Sequence, residues 1–397
     1  MIKLNLVINN VLIFLLIAIS GMPFFLDYEL SILWFLNCLF GIYIVVSPRK
    51  VNVTYLIFIA SFLGFTFLHY ILFGFYPFIT VIGIVARINA AYFVFTFVGK
   101  KFMNVFVNQI FILSTLSLFF TLVMFLGPGM YSLMRNSGFV DNTFTLNNFI
   151  IYVFSNGYRN NGPFWEPGAF VGFIIVSFIF YHSDLKRFSL LNSVDLVLFI
   201  TLITTFSTTG YLSFMLFYLG LYILNSDRSS LTKTLVLPII FTLFFSATFS
   251  FNFISEKITQ QLMYAEDYNF GSSKYTSSRF VNFYRDFDQI KRKPFFGWGV
   301  SNVTRLENES FTFANVTNGT TDFCVRYGIV GFILFSLGLY YCFRRLGFSN
   351  SQIIFTIALL YFISFSEAFF RYSFFLGLPF LTGLSRKHTD QIDEKRT

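Results

Sequence analysis

Val105-Phe106-Val107-Asn108-Gln109-Ile110-Phe111-Ile112-Leu113-Ser114-Thr115-Leu116-Ser117-Leu118-Phe119-Phe120-Thr121-Leu122-Val123-Met124-Phe125-Leu126 carries no charged side chain from end to end. An α-helix needs about 20 such residues to cross the hydrocarbon core of a bilayer. Lys100-Lys101 stand just before the run and Gly127 just after it. Outward from it, comparable runs fall near 6–25, 28–46, 54–73, 78–98, 165–182, 190–206, 210–224, 234–254, 323–343, 353–369 and 372–384. The chain as a whole is 55% hydrophobic and 12% charged, with 62 phenylalanines among 397 residues. A soluble domain cannot hide that much apolar surface. In a bilayer it needs no hiding, but every backbone group must be bonded internally, which selects helices. The expectation is an all-α polytopic membrane helix bundle of about 12 transmembrane helices, forming a single domain over residues 1–397.

The charges between the runs orient the bundle. Lys3, Arg49-Lys50, Lys100-Lys101, Lys186-Arg187, Arg228 with Lys233, Arg344-Arg345 and Arg386-Lys387 fall on alternate links. With both termini cytoplasmic they all face the cytoplasm, as the positive-inside rule requires. Asp27 and Glu29 then lie outside. The first run reads as a retained signal anchor, because cleavage would remove a wall of the bundle. Glu367 and Arg371 interrupt 353–384, which reads as two spans. Two longer segments, 127–164 and 252–321, land outside as loops, and loops of that length are usually functional. Residues 385–397 form a cytoplasmic tail.

Three scattered cysteines and three separated histidines form no metal-ligand spacing, so no metal is expected. The net charge of +9 sits at span ends and does not read as a nucleic-acid footprint. The second loop balances its basic and acidic residues and gives no general polyanion surface.

The most informative polar stretch is Arg159 followed by Asn160-Asn161-Gly162-Pro163-Phe164-Trp165-Glu166-Pro167-Gly168-Ala169-Phe170, at the mouth of the sixth run. Glu166 before Pro167 suits a helix first turn and the helix dipole, so capping alone accounts for it; a catalytic carboxylate accounts for it equally. Trp165 suits an interfacial belt. Arg87, inside the fourth run, is costly in lipid and needs a partner or a cavity; a diphosphate ligand or a pairing with Glu367 both satisfy it. Thr204 to Tyr211 is a turn whose hydroxyls can also line a sugar site. Ser278 to Phe287 reads as an amphipathic helix, with Phe280, Phe283, Phe287 and Ile290 on one side and Arg279, Asp286 and Lys293 on the other. Arg279 with Arg285 offers planar forks for phosphate oxygens, whereas Lys291–Lys293 reads as a solvated face or headgroup anchor. In Lys293-Pro294-Phe295-Phe296-Gly297-Trp298-Gly299 the glycines allow a tight backbone and Trp298 can stack on a sugar. Sequons at Asn302, Asn308, Asn315 and Asn318 read as ordinary polar loop.

Four blocks in order resemble the O-antigen polymerase (Wzy) and O-antigen ligase superfamily of bacterial inner-membrane proteins. They are Arg159 to Phe170; Phe206-Ser207-Thr208-Thr209-Gly210; Arg279 with Pro294 to Gly299; and Thr317-Asn318 leading to Tyr327-Gly328-Ile329-Val330-Gly331. Thr208 stands where the family often has arginine, and Thr317 where ligases have histidine, which favours the polymerase. The resemblance implies a GT-C-like membrane enzyme without divalent metal or cofactor, its active site facing the periplasm. It would join undecaprenyl-diphosphate-linked repeat units, with a chain-length regulator in the inner membrane as a candidate partner. Arg159 and Arg279, with Arg285 and Arg87 as further candidates, would stabilise the departing diphosphate. Glu166 would be the base and Asp322 its reserve. Asn161 and Trp298 would contact substrate. A ligase and a lipid-linked oligosaccharide flippase are the alternatives; a flippase needs no loop of this size outside the membrane.

Overall fold

The computed structural model describes residues 2–46, 51–125, 159–185, 188–225, 279–301 and 318–384, with shorter pieces that include 139–140, 147–149 and 152–153. The run at 234–254, most of the two outer loops, Thr317 and the tail at 385–397 lie outside the described residues. The helices are α1 (Ile2–Ala18), α2 (Pro23–Leu26), α3 (Glu29–Val46), α4 (Val53–Phe73), α5 (Phe78–Val98), α6 (Phe102–Phe125), α7 (Pro167–Tyr181), α8 (Ser193–Thr204), α9 (Thr208–Asn225), α10 (Arg279–Arg292), α11 (Gly319–Arg345), α12 (Asn350–Ser364) and α13 (Ser373–Gly377). Among the described residues, four helical stretches are long and apolar enough to cross a membrane: α3, α4, the run from Phe78 to Phe125, and α11. Gly99, at φ 63°, separates α5 from α6 within the third of these. Shorter apolar helices include α7, α8, α9 and α12. The chain is an all-α polytopic membrane protein.

Helix α7 is the axis of the bundle. Every residue from Pro167 to Phe180 is buried, as expected of a helix apolar on all sides. It is packed by α6, α8, α9 and α12. A second group joins α5 to α3, α13 and the last turns of the chain. Phe106 and Phe374 stack across the two groups at 4.8 Å, and Phe173 meets Phe375 edge-on at 5.3 Å.

Three departures from the sequence reading bear on function. The first outer loop contributes a small antiparallel sheet, β1 (Phe139–Val140), β2 (Asn147–Phe149) and β3 (Tyr152–Val153). Tyr152 anchors it by stacking on Phe120, and the Val153 N–H donates to Gly162 O at 2.7 Å. The second departure is at the end of the chain. Helix α12 stops at Ser364, and 366–384 is not a continuous spanning helix. It runs through a 3-10 turn (Phe369–Arg371), the five-residue α13 and a second 3-10 stretch (Leu378–Leu384). Glu367 and Arg371 take charged partners on other helices, described below, and Pro379 lacks the N–H a helix interior needs.

The third is a break inside α11. Gly328 has φ 62° and ψ −173°, which no helix accommodates. The freed backbone groups are satisfied by the Pro294–Gly299 loop. Ile329 N–H donates to Pro294 O at 2.8 Å and Val330 N–H to Phe295 O at 3.1 Å. Trp298 N–H and Gly299 N–H donate to Val325 O and Arg326 O at 2.8 and 3.0 Å. Irregular backbone at membrane depth is tolerated where protein resolves its hydrogen bonds. A side chain at Gly297 would lie 2.5 Å from Val325 O, and one at Gly328 would strike Phe295 O. Two motifs read separately in the sequence are therefore one packed unit.

Candidate active site

One end of the bundle gathers the polar motifs, and Glu166 organises them. It occupies the N-cap of α7 with Pro167 at the first helical position, yet its side chain makes no capping hydrogen bond. It turns instead to Arg279, the first residue of α10, whose Nη2 donates to Glu166 Oε1 at 3.2 Å. The same Nη2 donates to Glu367 Oε1 at 3.1 Å, and Arg279 Nε donates to Ser366 O at 3.0 Å. The sequence left Glu367 open as one of two ways to satisfy Arg87; the structure pairs it with Arg279. Its second oxygen accepts from Trp165 Nε1 at 3.3 Å. Trp165 also lies against Tyr372, with ring centroids 4.9 Å apart.

Gly168 explains how two carboxylates share one guanidinium. A Cβ there would sit 2.6 Å from Glu367 Oε1. Its absence admits the Glu367 carboxylate to the first turn of α7, where the helix dipole favours negative charge. The Glu-Pro-Gly triplet thus supplies a carboxylate, a stiff helix start and a gap for the second carboxylate.

Arg159 holds the neighbouring turn. Its Nε donates to Thr205 O and its Nη2 to Phe206 O, both at 3.2 Å, so the cation sits on the carbonyls that end α8. Phe206 takes a positive φ of 47°. Burial lowers the Arg159 pKa from its ordinary value; the Glu166 charge opposes that shift and the Arg279 charge adds to it. The side chain therefore feels both. Asn160 stitches the block together, its Nδ2 donating to Ser117 Oγ at 3.1 Å and Thr204 Oγ1 at 3.0 Å. Asn161 is fully buried, and its side-chain amide meets no protein partner among the described residues.

The other candidates are placed as follows. Arg87 Nε and Nη2 donate to Glu29 Oε1 and Oε2 at 2.7 and 2.9 Å, a bidentate pair with the first turn of α3; of the two alternatives left open by the sequence, the carboxylate pairing is present but with Glu29, not Glu367. Asp322 is 2% exposed and accepts two hydrogen bonds of 3.0 Å from Arg371. Arg326 Nε also lies 3.0 Å from Asp322 Oδ2. Both oxygens of Asp322 are therefore engaged by guanidinium groups. Arg285 is buried on the inner face of α10, its Nη2 3.9 Å from Asp286 Oδ1. That inner face is the polar one: Asn282, Asp286 and Gln289 are buried and Phe287 is exposed. Asp286 Oδ2 accepts from Thr321 Oγ1 at 2.6 Å, which docks α10 on α11. Trp298, expected to stack on a sugar, is packed away. Its Nε1 donates to Gln289 O at 2.9 Å, its ring lies parallel to Phe73, and Lys293 Nζ sits 4.3 Å above it. Asn318 caps α11 by accepting from Thr321 N–H at 3.1 Å.

Two cavities adjoin this end. One, of about 280 Å³, is polar and is lined by Arg87, Asp322, Arg326, Arg371 and Tyr372 among others. The second, of about 370 Å³, is apolar and lies between α4, α5, α11 and the last turns. Ile84, Phe323, Tyr327 and Leu376 line both. Arg326 escaped the sequence reading, and Arg371 entered it only as an interruption between spans; the signal for both was charge inside apolar runs.

No curated protein matches the chain. Residues 193–336, from α8 into α11, match the family model described as O-antigen ligase (Wzy_C), consistent with a place in the O-antigen polymerase/ligase superfamily.

Proposed function

We propose that this protein is a surface-polysaccharide polymerase of the bacterial inner membrane. In this reading it moves a glycan from an undecaprenyl diphosphate carrier onto the non-reducing end of the next lipid-linked repeat unit, at the periplasmic face and without a divalent metal. The observation that carries the reading is Arg279 held between Glu166 and Glu367 at the start of a fully buried helix.

The two carboxylates differ in access. The Glu166 side chain is 40% exposed and that of Glu367 is 6% exposed. Glu166 is thus open to an acceptor hydroxyl, while Glu367 fixes Arg279. In the transfer the acceptor oxygen bonds to the anomeric carbon as its proton passes to Glu166. The bond from that carbon to the phosphate oxygen breaks, and the diphosphate leaves with the electron pair. Arg279, with Arg159 behind it, supplies fixed positive charge as that negative charge develops.

The matched family is described as O-antigen ligase, which favours the ligase as a second reading. Against it, threonine stands at 317 where ligases have histidine. The glycan ladder of a deletion strain separates the readings. A polymerase deletion leaves core plus one repeat, a ligase deletion leaves bare core, and a flippase deletion leaves no O-antigen. Bare core would overturn the polymerase reading.

A further inference from the structure

We infer that α10 is a membrane-surface helix: its outward aromatic edge, with the loop that follows it, rests in the phospholipid headgroup layer, so the leaflet itself holds the helix that carries Arg279. The inference does not depend on which glycan reaction the site performs.

The sequence left Lys291–Lys293 open as a solvated face or a headgroup anchor, and the faces of α10 decide between them. A surface helix in water turns its polar residues outward. Here Asn282, Arg285, Asp286 and Gln289 are buried against the protein, while Tyr284 and Phe287, one turn apart, are exposed. The Phe283 ring lies nearly parallel to that of Phe287 at 6.1 Å, and Lys291 Nζ sits 4.6 Å above the Phe287 ring. Asp288, Lys291 and Arg292 are exposed beside them. Such an edge suits neither bulk phase. Water does not favour the two aromatic rings, and hydrocarbon does not favour the charges. The headgroup layer takes both, since aromatic rings and snorkelling lysines concentrate there.

The two ends of the helix fix its depth. At its start, the rings of Phe280 and Phe283 lie 6.3 and 5.8 Å from that of Phe365, the residue that closes α12. At its far end Phe295, 65% exposed, and Phe296 continue the outward surface. Their backbone is tied to two spans. Phe295 O accepts from Val330 N–H of α11, and Phe296 O lies 2.7 Å from His69 Nε2 of α4. Beside those attachment points, Tyr70 and Ile71 on α4 and Ile329 and Ile333 on α11 are exposed. Both helices are long and apolar enough to cross a membrane, so Phe295 and Phe296 extend a surface that already faces lipid. Lys293 Nζ, 3.9 Å from the centre of the Phe73 ring at the end of α4, sits where a span meets headgroups.

Arg279 is the first residue of α10. The depth of the helix therefore sets the height of the guanidinium that bridges Glu166 and Glu367.

The test reads depth. The full chain, with Cys38→Ser and Cys324→Ser and one new cysteine from Tyr284→Cys or Phe287→Cys, carries a bimane label in nanodiscs of phosphatidylcholine and phosphatidylglycerol. Lipid spin-labelled on its headgroup should quench both positions strongly. Lipid labelled near the end of its acyl chain, and aqueous iodide, should quench them weakly. Leu337→Cys, on the exposed side of a span, should reverse the order of the two lipids. In the Phe287→Cys chain, Lys291→Glu with Arg292→Glu should shift quenching from the headgroup label towards iodide by about fivefold, the factor one surface cation contributes near an anionic leaflet. The unsubstituted chain gives a second measurement that no variant can spoil. Phosphatidylcholine with a photo-cross-linker on its headgroup should leave adducts on the peptide spanning 284–296. Strong iodide quenching at both positions without lipid quenching would show a solvated face and overturn the inference. Quenching by neither, with no adduct on that peptide, would show that protein covers the edge and would overturn it as well.

Discussion

Gly168→Ala adds one methyl group and should disable the site while leaving the fold standing. The new Cβ would lie 2.6 Å from Glu367 Oε1, against the 3.4 Å where ordinary contact begins, so the carboxylate must retreat by about 0.8 Å. That oxygen is the one bound to Arg279 Nη2 at 3.1 Å, and its partner oxygen accepts from Trp165 at 3.3 Å. Neither bond survives an outward shift of that size. Arg279 then pairs with Glu166 alone, and the exposed carboxylate loses its freedom to take a proton. Misplacing reacting groups by about an ångström costs on the order of 100-fold in rate. Stability should change far less, because alanine in a helix gains up to about 1 kcal/mol over glycine and Arg279 is partly solvated. Gly172→Ala, one turn along, is the control. Its methyl strikes the buried Phe369 ring, so its cost should appear as a lowered Tm and reduced protein level. The assay is the glycan ladder normalised to protein, with Tm of the purified chain alongside. A wild-type ladder from Gly168→Ala at normal protein level would refute the claim that this gap serves Glu367.

Glu166→Gln should abolish long chains with Tm within about 2 °C of wild type, because the side chain makes no capping bond and its pair with Arg279 is partly solvated; an unchanged ladder excludes it as the base. Arg279→Ala should likewise remove long chains, and Arg279→Lys should not restore them, since one ammonium cannot span two carboxylates and a carbonyl; recovery by lysine would show that charge alone suffices. Arg159→Ala should both shorten chains and loosen the Thr205–Phe206 turn, seen as faster proteolysis there; wild-type ladders from Arg159→Ala and Arg279→Ala together would sink the site assignment. Gly328→Ala should destabilise by at least about 1–3 kcal/mol, the cost of a positive φ with a side chain, with the clash of the new Cβ on Phe295 O added to it, and a Tm equal to wild type would show that the break in α11 is relaxed.

The spans were legible because lipid imposes one strong rule. Apolar length sets helix length, and the expected runs at 28–46, 54–73 and 78–98 meet α3, α4 and α5 within a residue or two. The Arg159 to Phe170 block was legible as polar residues beside a helix start. What that reading lacked was the third dimension. Glu29 and Glu367 are both single acids near apolar runs, and nothing local says which takes Arg87 and which takes Arg279. The amphipathic pattern of α10 was visible, but its polar face turns inward because Thr321 awaits Asp286 on α11. Trp298 looked like a sugar platform because exposed aromatics stack on sugars; the break at Gly328 pulls it inside.

Irregular backbone marks the site better than any single motif does. In lipid, a chain stays helical wherever it has no other way to bond its N–H and C=O groups. The break in α11 and the 366–384 segment both depart from helix, and each lines the cavities. Both cost hydrogen-bond order, which the Pro294–Gly299 loop restores at the first and the Arg279 side chain, bonding Ser366 O, restores in part at the second. A bundle built only to span would have no use for either departure. Each puts charge where a straight helix would put apolar surface: Arg326 at the break, Glu367 and Arg371 in the final segment. The proposed site therefore lies beside helices that stop being helices, and substitutions that straighten them should reduce glycan chain length before they unfold the protein.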